Sequence, residues 1–302
     1  MAKYGIDLPA SNFHISRESG DDRENLLNSP MQHALSELAR RTGASLPAFV
    51  EMVRGQTLDD YRPNNNLVSS VLKKLYKGYK RLNELLTIAQ EGVRVCLRKE
   101  PPRQQLRSPN HGSAKERLDV LRKNIQKEQD IWRCIVLDSD FLEQWPDILL
   151  THKGGEDASV SGRTIHDLSY PEGDFINDYT DPTGIIKPNE RNPNTKREHP
   201  EVEVEIMAGD VASAFRNISI HSNSAYLFAG RIEKKIAIII ELSAPFGWTC
   251  SPGFYEIVGG AVSHVHDCHY NDANPTELFN YHWVDDHINV ASNVGRTLKD
   301  MD

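Results

Sequence analysis

Apolar residues recur at helical spacing along the first half of the chain and at strand spacing along the second, with the change near residue 140. Ser29 and Pro30 read as the N-cap and first position of a helix whose Met31, Ala34, Leu35 and Leu38 share one face. Gly43 stops it. A short second helix is predicted over 46–53. From Asn65 to Val95 the residues Val68, Val71, Leu72, Leu75, Tyr79, Leu82 and Leu86 form a stripe opposite a lysine-rich face, the pattern of one long amphipathic helix. Residues 99–112 (KEPPRQQLRSPNHG) hold three prolines and few apolar side chains, so they read as a linker. Ser113 and Glu116 then make a capping box for a helix reaching about Ile135.

Past residue 149 short strands and turns take over, with a polar loop over 187–200. In EVEVEIM (201–207), Val202, Val204 and Ile206 alternate with glutamates, which predicts a strand with one buried face. In LFNYHWV (278–284), Phe279, Tyr281 and Trp283 alternate, and the alternation resumes at Ile288 and Val290. Asp285 and Asp286 therefore fall where a hairpin turns. With Asp210 closing the earlier strand, two strand ends would bring carboxylates together. Such a cluster repels itself unless a cation intervenes, and hard oxygen donors without cysteine favour magnesium over zinc. Two such ions activate an attacking hydroxyl and stabilise a leaving phosphate. An Asp-Asp pair is also what an ordinary solvated turn carries. Between the strands lies APFGWTCSPGFY (244–255): Gly247 permits close backbone approach, and Ser251-Pro252 supplies an N-cap and first position for a helix to about His266.

The order of these segments resembles retrotransposon-type reverse transcriptases. Asp210-Val-Ala-Ser-Ala-Phe215, then Pro245-Phe246-Gly247-Trp248 with Ser251-Pro252, then Trp283-Val284-Asp285-Asp286 are similar to the three palm motifs. GRTIHDLSYP (162–171) is similar to the fingers motif before them. The resemblance covers residues 145–302, about half the chain. It implies an α+β fold: a polymerase palm, an antiparallel sheet with helices on one face, plus partial fingers over 141–302, preceded by a mainly α-helical region over 1–140.

The resemblance also implies roles. Asp210 and Asp285 would hold two magnesium ions, for which manganese can substitute; Asp286 would support them, and the Val211 carbonyl would add a ligand. Phe215 matches the aromatic residue beneath the sugar that excludes a 2′-hydroxyl. Arg163 matches the fingers arginine on the triphosphate, and Lys153 the accompanying lysine. Phe246 and Gly247 would line the incoming nucleotide. The implied partners are a template–primer of RNA or DNA and deoxynucleoside triphosphates, with no membrane. Trp283 stands where the family more often has tyrosine. The sequence ends 16 residues after Asp286, so a thumb and any RNase H or integrase module are expected to be missing from it. Two readings therefore stay open: template-directed DNA synthesis, or a catalytically inactive product or helical binding module.

Charge refines this picture. The net charge of −8 averages +3 over residues 1–150 and −11 over 151–302. Lys73, Lys74, Lys77, Lys80 and Arg81 crowd into nine positions, as either a solvated face or a phosphate-binding one. The acidic balance is local and does not exclude nucleic acid. Four cysteines without a CxxC pair and a beginning without a basic-then-apolar segment favour a reducing, intracellular setting, cytoplasm and nucleus being indistinguishable. The longest aliphatic run, Ile236 to Ile240, is far short of the ~20 residues that span a bilayer. His264, His266, Cys268, His269, His282 and His287 lack a second ligand pair at zinc-site spacing and read as helix-end and strand-surface residues. Phe254 and Tyr255 read as core, and Asp167 as a loop-orienting side chain.

Overall fold

The computed structural model describes residues 6, 27–104, 118–155, 164–169, 175–183, 204–232, 237–273 and 278–292. Helix α1 is Ser29–Thr42. Its cap is Asn28 rather than Ser29: the Asn28 Oδ1 accepts the Met31 N–H at 3.1 Å, while Gly43 ends the helix at φ 56°. Helix α2, Leu46–Arg54, ends at Gly55 with φ 70°. The long helix expected over 65–95 is two helices, α3 (Ser69–Leu75) and α4 (Leu82–Glu91). Gly78, at φ 89°, turns the chain between them and lets Tyr79 drop inward, where its hydroxyl donates to the Ile257 carbonyl at 2.9 Å. The capping box at 113–116 lies outside the described residues, and helix α5 (Leu118–Asp130) stops short of Ile135.

Residues 134–138 are instead strand β1, Cys134–Asp138. This short apolar run is buried on both faces, so its periodicity does not separate strand from helix. β1 joins β5 (Ala229–Ile232) and β6 (Ala237–Glu241) in an antiparallel sheet of order β1-β6-β5. Ile135, Leu137, Ile238 and Ile240 meet Leu35, Leu38, Phe49 and Val50 from α1 and α2. Cys134, Val136 and Ile239 meet Leu121 and Ile125 of α5. Alternate side chains thus bury opposite faces, and residues on both sides of position 140 share one core.

Two smaller sheets complete the described chain. β2 (His152–Gly155) pairs with β3 (Thr164–Asp167). β4 (Val204–Asp210), β7 (Leu278–Trp283) and β8 (Asp286–Ser292) form a sheet of order β4-β8-β7, with helix α6 (Ser251–Ala273) against β7. The architecture is α+β, with small antiparallel sheets. The buried face expected for 201–207 is not found at Ile206, which is 69% exposed. Residues 201–203 lie outside the described set. Among the described residues no helix is long and apolar enough to cross a membrane.

One buried titratable group couples this fold to pH. His221 is 1% exposed, accepts the Asn223 N–H at Nδ1 (3.1 Å), and lies 5.7 Å from the Tyr61 ring. Burial first, then Arg94, holds its pKa below the ordinary value against Glu91 and Glu51, with Arg54 adding the smallest contribution. The unfolded chain therefore takes up this proton first as pH falls. The contribution is intact above about pH 6.5 and is lost below it. Melting temperature should drop between about pH 7 and 5 more steeply in the wild type than in His221→Gln; equal slopes would contradict the assignment.

Candidate functional site

The antiparallel register of β4 with β8 sets Asp210 opposite Asp286, and the β7–β8 hairpin pairs Trp283 with Asp286, leaving Val284 and Asp285 at the turn. The Val211 N–H donates to the Asp285 carbonyl at 2.9 Å, tying the end of β4 to the hairpin tip. Val284 has φ 54°, a left-handed conformation that a β-branched side chain enters only at a cost of order 1–3 kcal/mol. The sheet thus over-determines the placement of Asp285.

Tyr255, on the first turns of α6, is 2% exposed. Its phenol is pushed up to about 12, first by burial and then by the charges of Asp285 and Asp210, so both carboxylates lie within electrostatic reach of one hydroxyl. Asp210 and Asp286 are exposed and Asp285 is half-buried. None of the three pairs with a cation among the described residues. Elsewhere Asp60, Asp138 and Asp140 all take arginine partners. No three His, Cys, Asp or Glu side chains among the described residues gather tightly enough to form a metal cage of their own.

An aromatic floor adjoins the carboxylates. After β4, Ser213 at φ 55° starts a 3₁₀ turn, Ala214–Asn217, that presents Phe215. The Phe215 ring lies 5.2 Å from that of Phe246 and edge-on to Tyr255 at 6.1 Å. Gly247, exposed at φ 98°, exploits the freedom expected of it. No protein-family model matches this chain, and no curated protein does.

Two residues that the sequence did not single out hold this floor. Arg216 is 7% exposed; its guanidinium pairs with Glu241 at 2.5 Å and Glu128 at 2.8 Å and donates to the Ser243 carbonyl at 3.1 Å. It thereby anchors the turn carrying Phe215 to β6 and α5. Asn177, on the one-turn helix Ile176–Tyr179, donates to the Gly247 carbonyl at 2.9 Å and to the Ser169 hydroxyl at 3.2 Å, while its Oδ1 accepts the Thr249 N–H at 3.0 Å. It joins the segment after β3 to the Phe246-Gly247 loop. Neither carries a local signal: apart from Ser169, eight residues from Asn177, the side-chain partners of Arg216 and the loop partners of Asn177 lie 25 to 88 residues away.

Ser251 differs in role from the expected N-cap. It is the first residue of α6, and its hydroxyl donates to the Pro245 carbonyl at 2.8 Å, closing the loop beneath Gly247. Trp248 and Phe254 stack at 5.5 Å in the core beside Phe228. Asp167 orients its loop, accepting the Ser169 N–H at 3.1 Å. Lys153 lies in β2 opposite His166, and Arg163 lies outside the described residues.

The histidines are separately engaged. His282 contacts Glu256 and Ser263, each at 3.0 Å, and stacks on His287 at 5.5 Å. His264 reaches the Lys77 carbonyl at 3.3 Å. His287 is buried with both ring nitrogens lacking a hydrogen bond among the described residues, and burial, then His282 and His266, push it down to about 4.

Proposed function

We propose that this chain carries the fingers and palm of a retrotransposon-type reverse transcriptase. The reaction is attack of a primer 3′-hydroxyl on the α-phosphate of a deoxynucleoside triphosphate, directed by an RNA or DNA template, with release of pyrophosphate. The observation that carries the reading is the β4-β8-β7 register. It sets Asp210 against the strained hairpin tip bearing Asp285 and beside the Phe215–Phe246 floor.

The donor set suits magnesium. Asp210 and Asp285 are carboxylates without a cation partner among the described residues, Asp286 adjoins them, and the Val211 carbonyl would complete an all-oxygen group. A partial set is what magnesium uses, since it keeps waters and shares its shell with substrate phosphates rather than sitting in an all-protein cage. Manganese, with the same preference for oxygen, would substitute. Bound there, the metal supplies charge stabilisation at the phosphates and acidifies the attacking hydroxyl.

The protein's own task is placement. Phe215 forms the surface under the sugar and leaves no room for a 2′-hydroxyl. Gly247 lets the backbone approach the incoming nucleotide beside Phe246, and Asn177 holds that loop still. Lys153 and Arg163 would meet the triphosphate, Arg163 through its planar fork.

The direct test is pyrophosphate release that requires template, primer, a deoxynucleotide and magnesium together. Omission of any one should abolish it, and release without template or primer would contradict the reading. Phe215→Ala should raise ribonucleotide incorporation relative to deoxynucleotide by at least roughly tenfold, the scale of one steric contact in a pocket. Continued rejection of ribonucleotides would remove Phe215 from the sugar site.

A further inference from the structure

We propose that Lys73, Lys74, Lys77 and Lys80 form a contact surface for a nucleic-acid phosphate backbone. All four are exposed, and among the described residues none of their ammoniums has an ion-pair or hydrogen-bond partner. Seven arginines of the same half, Arg40, Arg41, Arg62, Arg81, Arg94, Arg98 and Arg103, by contrast each hold a carboxylate. A solvated helix face normally intersperses its lysines with glutamates. Residues 70–80 contain no acidic residue at all.

The segment is also fixed in place. Tyr79, 8% exposed, donates to the Ile257 carbonyl and packs its ring 5.5 Å from that of His264, while the Lys77 carbonyl meets the same histidine. Ile257 is two residues along α6 from Tyr255, so the lysine-bearing segment is held by the same helix as the residue beside Asp210 and Asp285 but on a different face, since two residues turn a helix by about 200°. Lys77 and Lys80 thus stand on a turn fixed to α6, and Lys73 and Lys74 on the last turn of α3 just before it. Val71 and Leu75 are exposed beside them, but α3 is only seven residues long, far less apolar surface than a membrane-lying helix presents.

The choice of nucleic acid among polyanions rests on the polymerase reading. The test keeps the two apart by measuring binding without metal or nucleotide. Fluorescence anisotropy of a labelled 20-base-pair RNA–DNA duplex is followed against salt for the wild type and for K73Q/K74Q/K77Q/K80Q. All four changes are on exposed side chains, and thermal melting checks that the variant is folded. The wild type should bind, the variant should lose at least tenfold in affinity near 0.1 M salt, and its slope of log K against log salt should be shallower by roughly 2 to 4. The four-arginine variant should bind as the wild type does. Failure of the wild type to bind the duplex, an unchanged slope in the glutamine variant, or lysine-dependent binding confined to phosphatidylserine vesicles or an acidic peptide would each overturn the proposal.

Discussion

Asp285→Asn should reduce primer extension by more than about a hundredfold while leaving the melting temperature within a degree or two of the wild type. The side chain is half-buried at a hairpin tip and takes no cation among the described residues, so the fold gains little from its charge. The hairpin is held instead by backbone: the β7–β8 ladder and the Val211 N–H on the Asp285 carbonyl, neither touched by the substitution. The loss should exceed that from disturbing a group behind a metal ligand, ~10- to 100-fold, because a charged donor itself is removed. Magnesium affinity, read by titration calorimetry in the presence of a deoxynucleotide, should fall in parallel. Extension at a comparable rate would remove Asp285 from the site, and a large fall in melting temperature would assign it to the fold instead.

Arg216→Met should destabilise the protein by roughly 3–5 kcal/mol, the scale for stranding a charge in a buried ion pair. Glu241 is 4% exposed on the central strand β6, so once the guanidinium is gone its carboxylate is left without its 2.5 Å partner. Glu128 is the less affected partner, its side chain being 27% exposed. Removing both buried members should be far milder than removing one, because desolvation and attraction largely cancel in such pairs. Urea unfolding should therefore rank Arg216→Met well below Arg216→Met/Glu241→Leu in stability. If the single variant loses less than about 1 kcal/mol, the triad does not anchor the turn that carries Phe215.

The parts of the fold legible in the sequence were those with a local period. The alternation at 278–284 and 286–290 marked both strands of the hairpin and placed its turn to within a residue, the turn being Val284-Asp285 with Asp286 opening β8, and the pairing of Met31, Leu35 and Leu38 marked α1. Reading failed where two periods coincide or one glycine decides. Cys134–Leu137 continues a helical pattern but is a strand buried on both sides, and Gly78 divides a stripe that otherwise runs unbroken from Val68 to Leu86. The alternation at 201–207 showed which residues share a face of β4 but not whether anything covers that face, and Ile206 is open.

For the site, the acidic and aromatic residues were visible because their types are chemically unusual at a turn or strand end. Arg216 and Asn177 were not, because a buried pair is defined by its partner, and Glu241, Glu128 and Gly247 are close only after folding. The strain at Val284 is likewise a property of the closed hairpin, not of the valine.

The most direct measurement of the central claim is single-nucleotide extension of a labelled primer annealed to RNA and, separately, to DNA, by the whole chain with magnesium and one deoxynucleoside triphosphate at a time. The Asp210–Asp285 site predicts a primer longer by one residue only with the nucleotide complementary to the template, one pyrophosphate per addition, and no product after chelation. Absence of product with every nucleotide on both templates, or addition that ignores the template base, would contradict it.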